Sequence, residues 1–228
     1  MKRKVITTQD GSKTIQIEDW NEQYHSIHGA IQEAQHVFIK HGLHYFNTIL
    51  DSKFKNHISI LEIGFGTGLN AFISLLEAEK LSTDIDYVGV EAYPVCEEEL
   101  TQLNYSERLD ANNESKTFEK LHAVTWEKKH QINSNFSLCK KELFFSEITD
   151  LNTYNIIYFD AFGARVQPEL WSESMFERMY NALKNNGVLV TYSAKGSVRR
   201  AMQSVGFIVE RLPGPPGKRE MLRAIKRV

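Results

Sequence analysis

Ile58-Ser59-Ile60-Leu61-Glu62-Ile63-Gly64-Phe65-Gly66-Thr67-Gly68-Leu69-Asn70 reads as an apolar strand, a turn with spaced glycines and the start of a helix. Glycines let the backbone pass close to a ligand, and the first amides of the helix present unpaired donors and a positive dipole end. The stretch therefore predicts a nucleotide-shaped cofactor. Beyond it the pattern predicts a helix over 69–79, a strand over 87–91 ending in Glu91, and a strand over 154–160 ending in Asp160. A helix over 174–183, a turn at Asn185-Asn186-Gly187, a strand over 188–192 and a helix over 197–204 follow. Strands alternating with helices imply an α/β fold with a doubly wound, mostly parallel sheet.

The chain has 228 residues, of which 42% are hydrophobic, enough for one α/β domain with a sizeable core. A formal net charge of -2 gives no global signal for a nucleic-acid partner, so such a partner requires a local basic patch. Cys96 and Cys139 have no metal-site spacing and read as free thiols of a reducing compartment, which predicts a cytoplasmic protein. The basic start is followed by polar residues rather than by a signal-peptide core, and no apolar run is long enough to span a bilayer.

Strand formers flank Asp10-Gly11 over residues 5–17, which predicts a hairpin. Apolar residues recur at helical spacing over 29–41, and a second short helix is expected over 43–50. Residues 1–52 thus form a hairpin and helical extension, and 53–228 the cofactor-binding domain. Within the latter, 95–125 reads as two or three helices and 126–145 as a strand pair turning near Asn133-Ser134-Asn135. The strands near 207–211 and 221–226 are joined by a Pro/Gly loop too short for a helical crossover, so they should pair antiparallel.

The glycine spacing is G-x-G-x-G rather than the G-x-G-x-x-G of dinucleotide folds. Glu62 precedes the first glycine by two positions, and Glu91 is placed to accept hydrogen bonds from ribose hydroxyls. Carboxylates there favour a nucleoside with a cationic amino acid over a pyrophosphate, which points to S-adenosylmethionine. The expected fold is then the seven-stranded class I methyltransferase type, with Gly64, Gly66, Gly68, Asn70 and Glu147 joining the two acids at the cofactor. Asp160 lies at the carboxyl end of its strand, the usual ligand crevice, and is the candidate catalytic residue. The loop after it carries Phe162 and Trp171, aromatics suited to stacking on a flat base. Lys195, Arg199, Lys218 and Arg219 belong to a basic cluster near the C-terminus, with Arg200, Arg211, Arg223, Lys226 and Arg227, that suits phosphate binding. The histidines at 25, 28, 36, 41, 44 and 57 lack convergent partners, so no metal is expected.

The glycine stretch, Phe159-Asp160-Ala161-Phe162 and Pro168-Glu169-Leu170-Trp171 resemble the methyltransferase half of the bifunctional tRNA 5-methylaminomethyl-2-thiouridine biosynthesis family. Tyr24-His25-Ser26 with Glu33, Ser197-Val198-Arg199-Arg200 and Gly217-Lys218-Arg219-Glu220-Met221-Leu222 extend the resemblance from about residue 20 onward. The resemblance implies methylation of the primary amine of 5-aminomethyl-2-thiouridine at the tRNA wobble position, with tRNA bound at its anticodon region through the C-terminal basic face. It implies that Tyr24 and Glu33 lie at the cofactor pocket and that Asp160 faces the acceptor amine. No counterpart of the family's FAD-dependent oxidoreductase half is present, which implies a standalone form and separate enzymes that supply the aminomethyl-uridine. Ala164 and Val166 stand where the family often has Pro and Lys, and Glu147 where it has Asp. The alternatives left by the residues alone are a transferase of the same fold acting on a small-molecule amine of the polyamine type, and a noncatalytic cofactor-fold module.

Overall fold

A computed structural model describes residues 2–49 and 57–227; the expected domain boundary at 52/53 lies outside the described residues. Strands β1 (Arg3–Thr7) and β2 (Lys13–Ile17) form the expected hairpin, and β3 (Glu22–Gln23) adds to β2. A helical run follows: α1 (Ala30–Ala34), a π-helical stretch Gln35–His44, and α2 (Tyr45–Ile49). The two helices predicted here are joined because Gly42 lies directly on the sheet, where a Cβ would come 3.1 Å from Tyr158 and Val190. A close approach, rather than a helix break, accounts for this glycine.

The main sheet and its helices are β4 (His57–Ile63), α3 (Leu69–Leu81), β5 (Asp84–Glu91), α4 (Glu97–Leu100), α5 (Tyr105–Arg108), α6 (Ser115–Ala123), β6 (Lys129–Gln131), β7 (Phe136–Glu142), β8 (Tyr154–Phe159), α7 (Glu173–Ala182), β9 (Leu183–Thr191), α8 (Gly196–Ser204), β10 (Ile208–Pro213) and β11 (Glu220–Ile225). The strand order is β10-β11-β9-β8-β4-β5-β7-β6. Pairs among β7, β5, β4, β8 and β9 are parallel, whereas β11 runs antiparallel to both β9 and β10. The sheet has eight strands rather than seven because the short β6 turns back along the edge of β7.

Each central strand is apolar on both faces because helices cover both sides. Along β4, Ile58 and Ile60 pack under the 30–49 run and α3, whereas Leu61 and Ile63 pack toward α7 and α8. The chain leaves β4 for β5 on one side and returns as β8 on the other. That reversal opens a crevice at the carboxyl ends of these strands. Register aligns the crevice: Ile63 pairs with Val90 of β5 and Phe159 of β8, so the glycine turn, Glu91 and Asp160 emerge side by side.

Phe65, within the glycine turn, lies across Gly89 of β5, where a Cβ would collide with its ring. Gly89→Ala is expected to displace Phe65 and lower the unfolding free energy by about 1–3 kcal/mol. Denaturant titration measures this, and parental stability would show that the turn repacks freely.

Candidate active site

Between the carboxyl ends of β4, β5 and β8 and the N-terminal sheet lies a cavity of about 1000 Å³. Its floor begins at the glycine turn. Gly64 has φ of 89°, and a Cβ there would sit 2.8 Å from the carbonyl oxygen of Asp160, so only glycine lets the two strand ends approach this closely. The backbone N–H groups of Gly64 and Phe65 both donate to the Val90 carbonyl. Gly66 N–H donates to Glu91 Oε2 and Tyr93 N–H to Glu91 Oε1, each at 3.0 Å. Burial pushes the Glu91 carboxyl up from the usual range, and these two donors oppose the shift.

Asn70, in the first turn of α3, joins the other two acids. Its Nδ2 donates to Glu62 Oε1 and to Asp160 Oδ2, both at 2.8 Å. Deep burial drives the Glu62 carboxyl well above its ordinary range. Asp160 is pushed up to about 7 by burial and by the Glu33 charge, against the pull of the Asn70 hydrogen bond and of Lys218. Glu62 Oε2 and Asn70 Oδ1 are buried without a hydrogen-bond partner among the described residues. The site thus holds a carboxyl near half-ionisation at neutral pH beside buried acceptors with unused capacity.

The N-terminal sheet forms the roof. Tyr24 and Trp20 pack edge-on against Phe162 at 5.0 and 5.6 Å. Arg165 reaches Glu22 at 2.8 Å and the Trp20 carbonyl at 2.6 Å. On the β5 side, Arg3 contacts the Tyr93 carbonyl at 3.2 Å and Glu99 at 3.3 Å. Glu33, on α1, accepts the Ser26 N–H at 2.8 Å and lies 2.5 Å from Lys218 Nζ. Sequence reading missed Arg3, Glu22 and Arg165, whose partners lie too far along the chain for any spacing rule. It also missed Tyr93 and Phe144, which line the cavity about half exposed and 6.1 Å apart. Their one signal is large aromatics in polar segments after β5 and β7.

Of the expected cofactor residues, Tyr24, Glu33, Glu62, Gly64, Gly66, Asn70 and Glu91 line the cavity; of the expected catalytic and acceptor residues, Asp160, Phe162, Lys195 and Lys218 do. The structure does not bring the others to it. Gly68 begins α3 and faces His122. Glu147 is exposed, and its carboxylate accepts the Phe144 N–H at 2.8 Å, capping a short 3-10 turn. Trp171 is buried against Phe159, Phe176 and Tyr192, and its indole N–H donates to the Phe162 carbonyl, so it is a core residue rather than a stacking platform. Arg199 and Arg219 lie outside the cavity, on α8 and just before β11.

The C-terminal basic cluster is also divided. Arg223 pairs with Glu210 at 2.8 Å and stacks on Tyr45; Lys226 is buried on Asn152 and the Leu183 carbonyl; Arg211 faces Glu220 at 3.7 Å. Exposed Lys195 and Arg178 instead mark the cavity rim. His25 lies in the cavity wall 3.0 Å from Thr14 Oγ1, and burial lowers it to about 4, so it is neutral at pH 7. Among the described residues no three His, Cys, Asp or Glu side chains are grouped to hold a metal ion, and no helix is long and apolar enough to cross a membrane.

Residues 110–227 match a family described as S-adenosyl-L-methionine-dependent methyltransferase. The tRNA 5-methylaminomethyl-2-thiouridine biosynthesis bifunctional protein MnmC of Aromatoleum aromaticum is 28% identical over 211 residues, which cover 88% of this chain and 32% of that protein. The protein of the same name from Leptospira interrogans is 28% identical, over 90% of this chain and 32% of its own length. The chain therefore spans about a third of the length of these curated relatives. The crystal structure of MNMC2 from Aquifex aeolicus shares the fold with a TM-score of 0.77 at 23% identity, covering 98% of this chain and 69% of that one. Spermidine synthase from Thermotoga maritima shares it more loosely, at 0.53 and 15% identity, over 97% of this chain and 72% of that one.

Glu91→Ala removes an acceptor that holds two backbone amides, and hydrogen bonds to a charged group contribute about 1.5–3 kcal/mol. We expect S-adenosylhomocysteine affinity to fall about 10- to 100-fold by calorimetry. Unchanged affinity would separate Glu91 from the cofactor.

Proposed function

The chain belongs to the S-adenosyl-L-methionine-dependent methyltransferase family, and we propose that it methylates the primary amine of a 5-aminomethyl-2-thiouridine at the wobble position of tRNA. The observation that carries this reading is Asp160, held by Asn70 at the cavity floor, where burial pushes its carboxyl up to about 7. When bound, S-adenosylmethionine supplies a methyl group on a sulfonium.

The residues present fit that cofactor. The cavity is large enough for a nucleoside with an amino-acid tail, and the glycine turn exposes backbone to it. Glu91 would take the ribose hydroxyls on the lone pairs its two amide donors leave free. Glu62, with an unpartnered oxygen in a buried site, would serve a cationic group at the methionine end, since a positive charge offsets the cost of ionising a buried carboxyl. Tyr24, beside the turn, and Glu33 complete the wall.

An alkylammonium has no free electron pair for attack, so the acceptor must lose a proton first. A carboxyl near pH 7 is suited to taking it, because the proton leaves on association and returns to solvent readily afterwards. Phe162, packed against Trp20 and Tyr24 in the cavity wall, would be an aromatic contact for the base that carries the amine. The tRNA reading is supported by the names of the relatives and by the cations at the rim, Lys195 and Arg178, with Arg199 and Arg219 beyond. We place residues 1–52 as the hairpin and helical extension and 53–228 as the methyltransferase domain.

The direct test is incubation with labelled S-adenosylmethionine and tRNA from cells that lack this gene, followed by nucleoside mass analysis. Label in 5-methylaminomethyl-2-thiouridine is the expected result; label absent from wobble uridine removes the substrate assignment. Asp160→Asn should keep S-adenosylhomocysteine affinity within about threefold while turnover falls at least about 100-fold. If the rim neutralises three phosphates, tRNA affinity should drop roughly 20- to 40-fold between about 50 and 200 mM salt. A salt-insensitive affinity counts against docking by charge.

A further inference from the structure

Glu33 and Lys218 are 185 residues apart in sequence, yet they meet inside the cavity that holds Asp160. Glu33 is 5% exposed, with Ser26 N–H on one carboxylate oxygen and Lys218 Nζ on the other. Lys218, on the loop between β10 and β11, also stands 3.8 Å over the Tyr192 ring. Tyr192 donates its hydroxyl to the carbonyl of Ala161, the residue next to Asp160, at 2.8 Å. The pair is thus fixed from two sides beside the reacting carboxyl.

Charges in a water-poor cavity act on one another more strongly than they do in solvent. A nearby anion strengthens the hold of a carboxyl on its proton, and a nearby cation weakens it. Both effects reach Asp160: Glu33 pushes up and Lys218 pulls down, with the upward push the larger. The other groups facing Asp160 are Glu62 of β4, Tyr87 of β5 and Tyr192 after β9, with the Asn70 amide from α3, while Lys195 and Arg165 line the same cavity. Glu62 shares its donor with Asp160, and the tyrosines are uncharged at neutral pH. Glu33 and Lys218 are the anion and the cation whose charges act on Asp160 in opposite directions.

We propose that Glu33 and Lys218 are positioning residues, an opposed charge couple that sets how readily Asp160 takes the proton of an incoming ammonium. In that step an N–H bond of the substrate breaks and an O–H bond on Asp160 forms. The nitrogen keeps the electron pair it needs for attack. A weaker base leaves the amine protonated, and a stronger one retains the proton after the product has formed. The inference rests on the reading of Asp160 as the acceptor-facing base.

The test is the pH dependence of kcat/KM for the parent, Glu33→Gln, Lys218→Met and the double variant. The acidic limb should move down by about one pH unit in Glu33→Gln and up by about one unit in Lys218→Met, returning close to the parent in the double variant. Shifts of the same sign, or a double variant that only worsens the singles, overturn the couple. A second readout needs no turnover: in protein labelled with ¹³C at aspartate carboxyls, the resonance missing from Asp160→Asn identifies Asp160. Its midpoint should follow the same opposite displacements, and midpoints that stay at the parental value overturn the proposal even if the variants are inactive. Full turnover by Asp160→Asn would instead overturn the reading of Asp160 as the base.

Discussion

One side-chain amide holds together two carboxyl groups that would otherwise repel. Asn70 Nδ2 spends both of its hydrogens on Glu62 and Asp160, which end adjacent parallel strands. The arrangement needs α3 to begin at Leu69, directly after the turn, so that a first-turn side chain reaches back over the strand ends. It also needs Gly64, because a side chain there would drive the Asp160 backbone away. The glycine turn therefore acts twice, bringing backbone to the cavity and bringing two acids within reach of one donor.

A roof turns this crevice into a chamber, and its strength comes from packing more than from charge. The Arg165–Glu22 pair is solvent-exposed on the arginine side, and such pairs contribute about 0.2–1 kcal/mol. Ile15 and Ile17 of β2 are almost fully buried, and each contributes about 1.5–3 kcal/mol. The arginines set where the roof sits; the isoleucines hold it there. Excluding water strengthens electrostatic terms inside, which is why the charges on Glu33 and Lys218 matter to Asp160.

The basic cluster near the C-terminus shows how a charge count misleads. Nine cations crowd the last part of the sequence, but Arg223 and Lys226 are buried on internal partners and Lys218 turns into the cavity. A lysine or arginine stem covers apolar surface readily, so one-dimensional crowding does not translate into an exposed field. The cations left at the cavity rim come from α7 and from the turn before α8, and no sequence window groups them.

The order of strands and helices was legible in the chain, because continuous apolar runs bounded by turns allow few arrangements once helices alternate with them. The hairpin, the antiparallel final pair and the placement of Glu62, Glu91 and Asp160 at strand ends were all readable from local pattern. The strand pair turning near Asn133 was also readable, and β6 and β7 are that pair; less legible was the joined helix over 30–49, where Gly42 serves packing. Glu147 and Trp171 mark the limit at the site: in sequence a capping carboxylate looks like a ligand, and a core indole looks like a stacking surface. The sequence by itself determined the cradle, since strand, glycines and acids lie within one contiguous stretch and its neighbouring strand. Only the tertiary structure decided the chamber and its electrostatics, because Arg3 on Tyr93, Arg165 on Glu22 and Lys218 on Glu33 are contacts across 90 residues or more, and no local rule constrains which distant charges will meet.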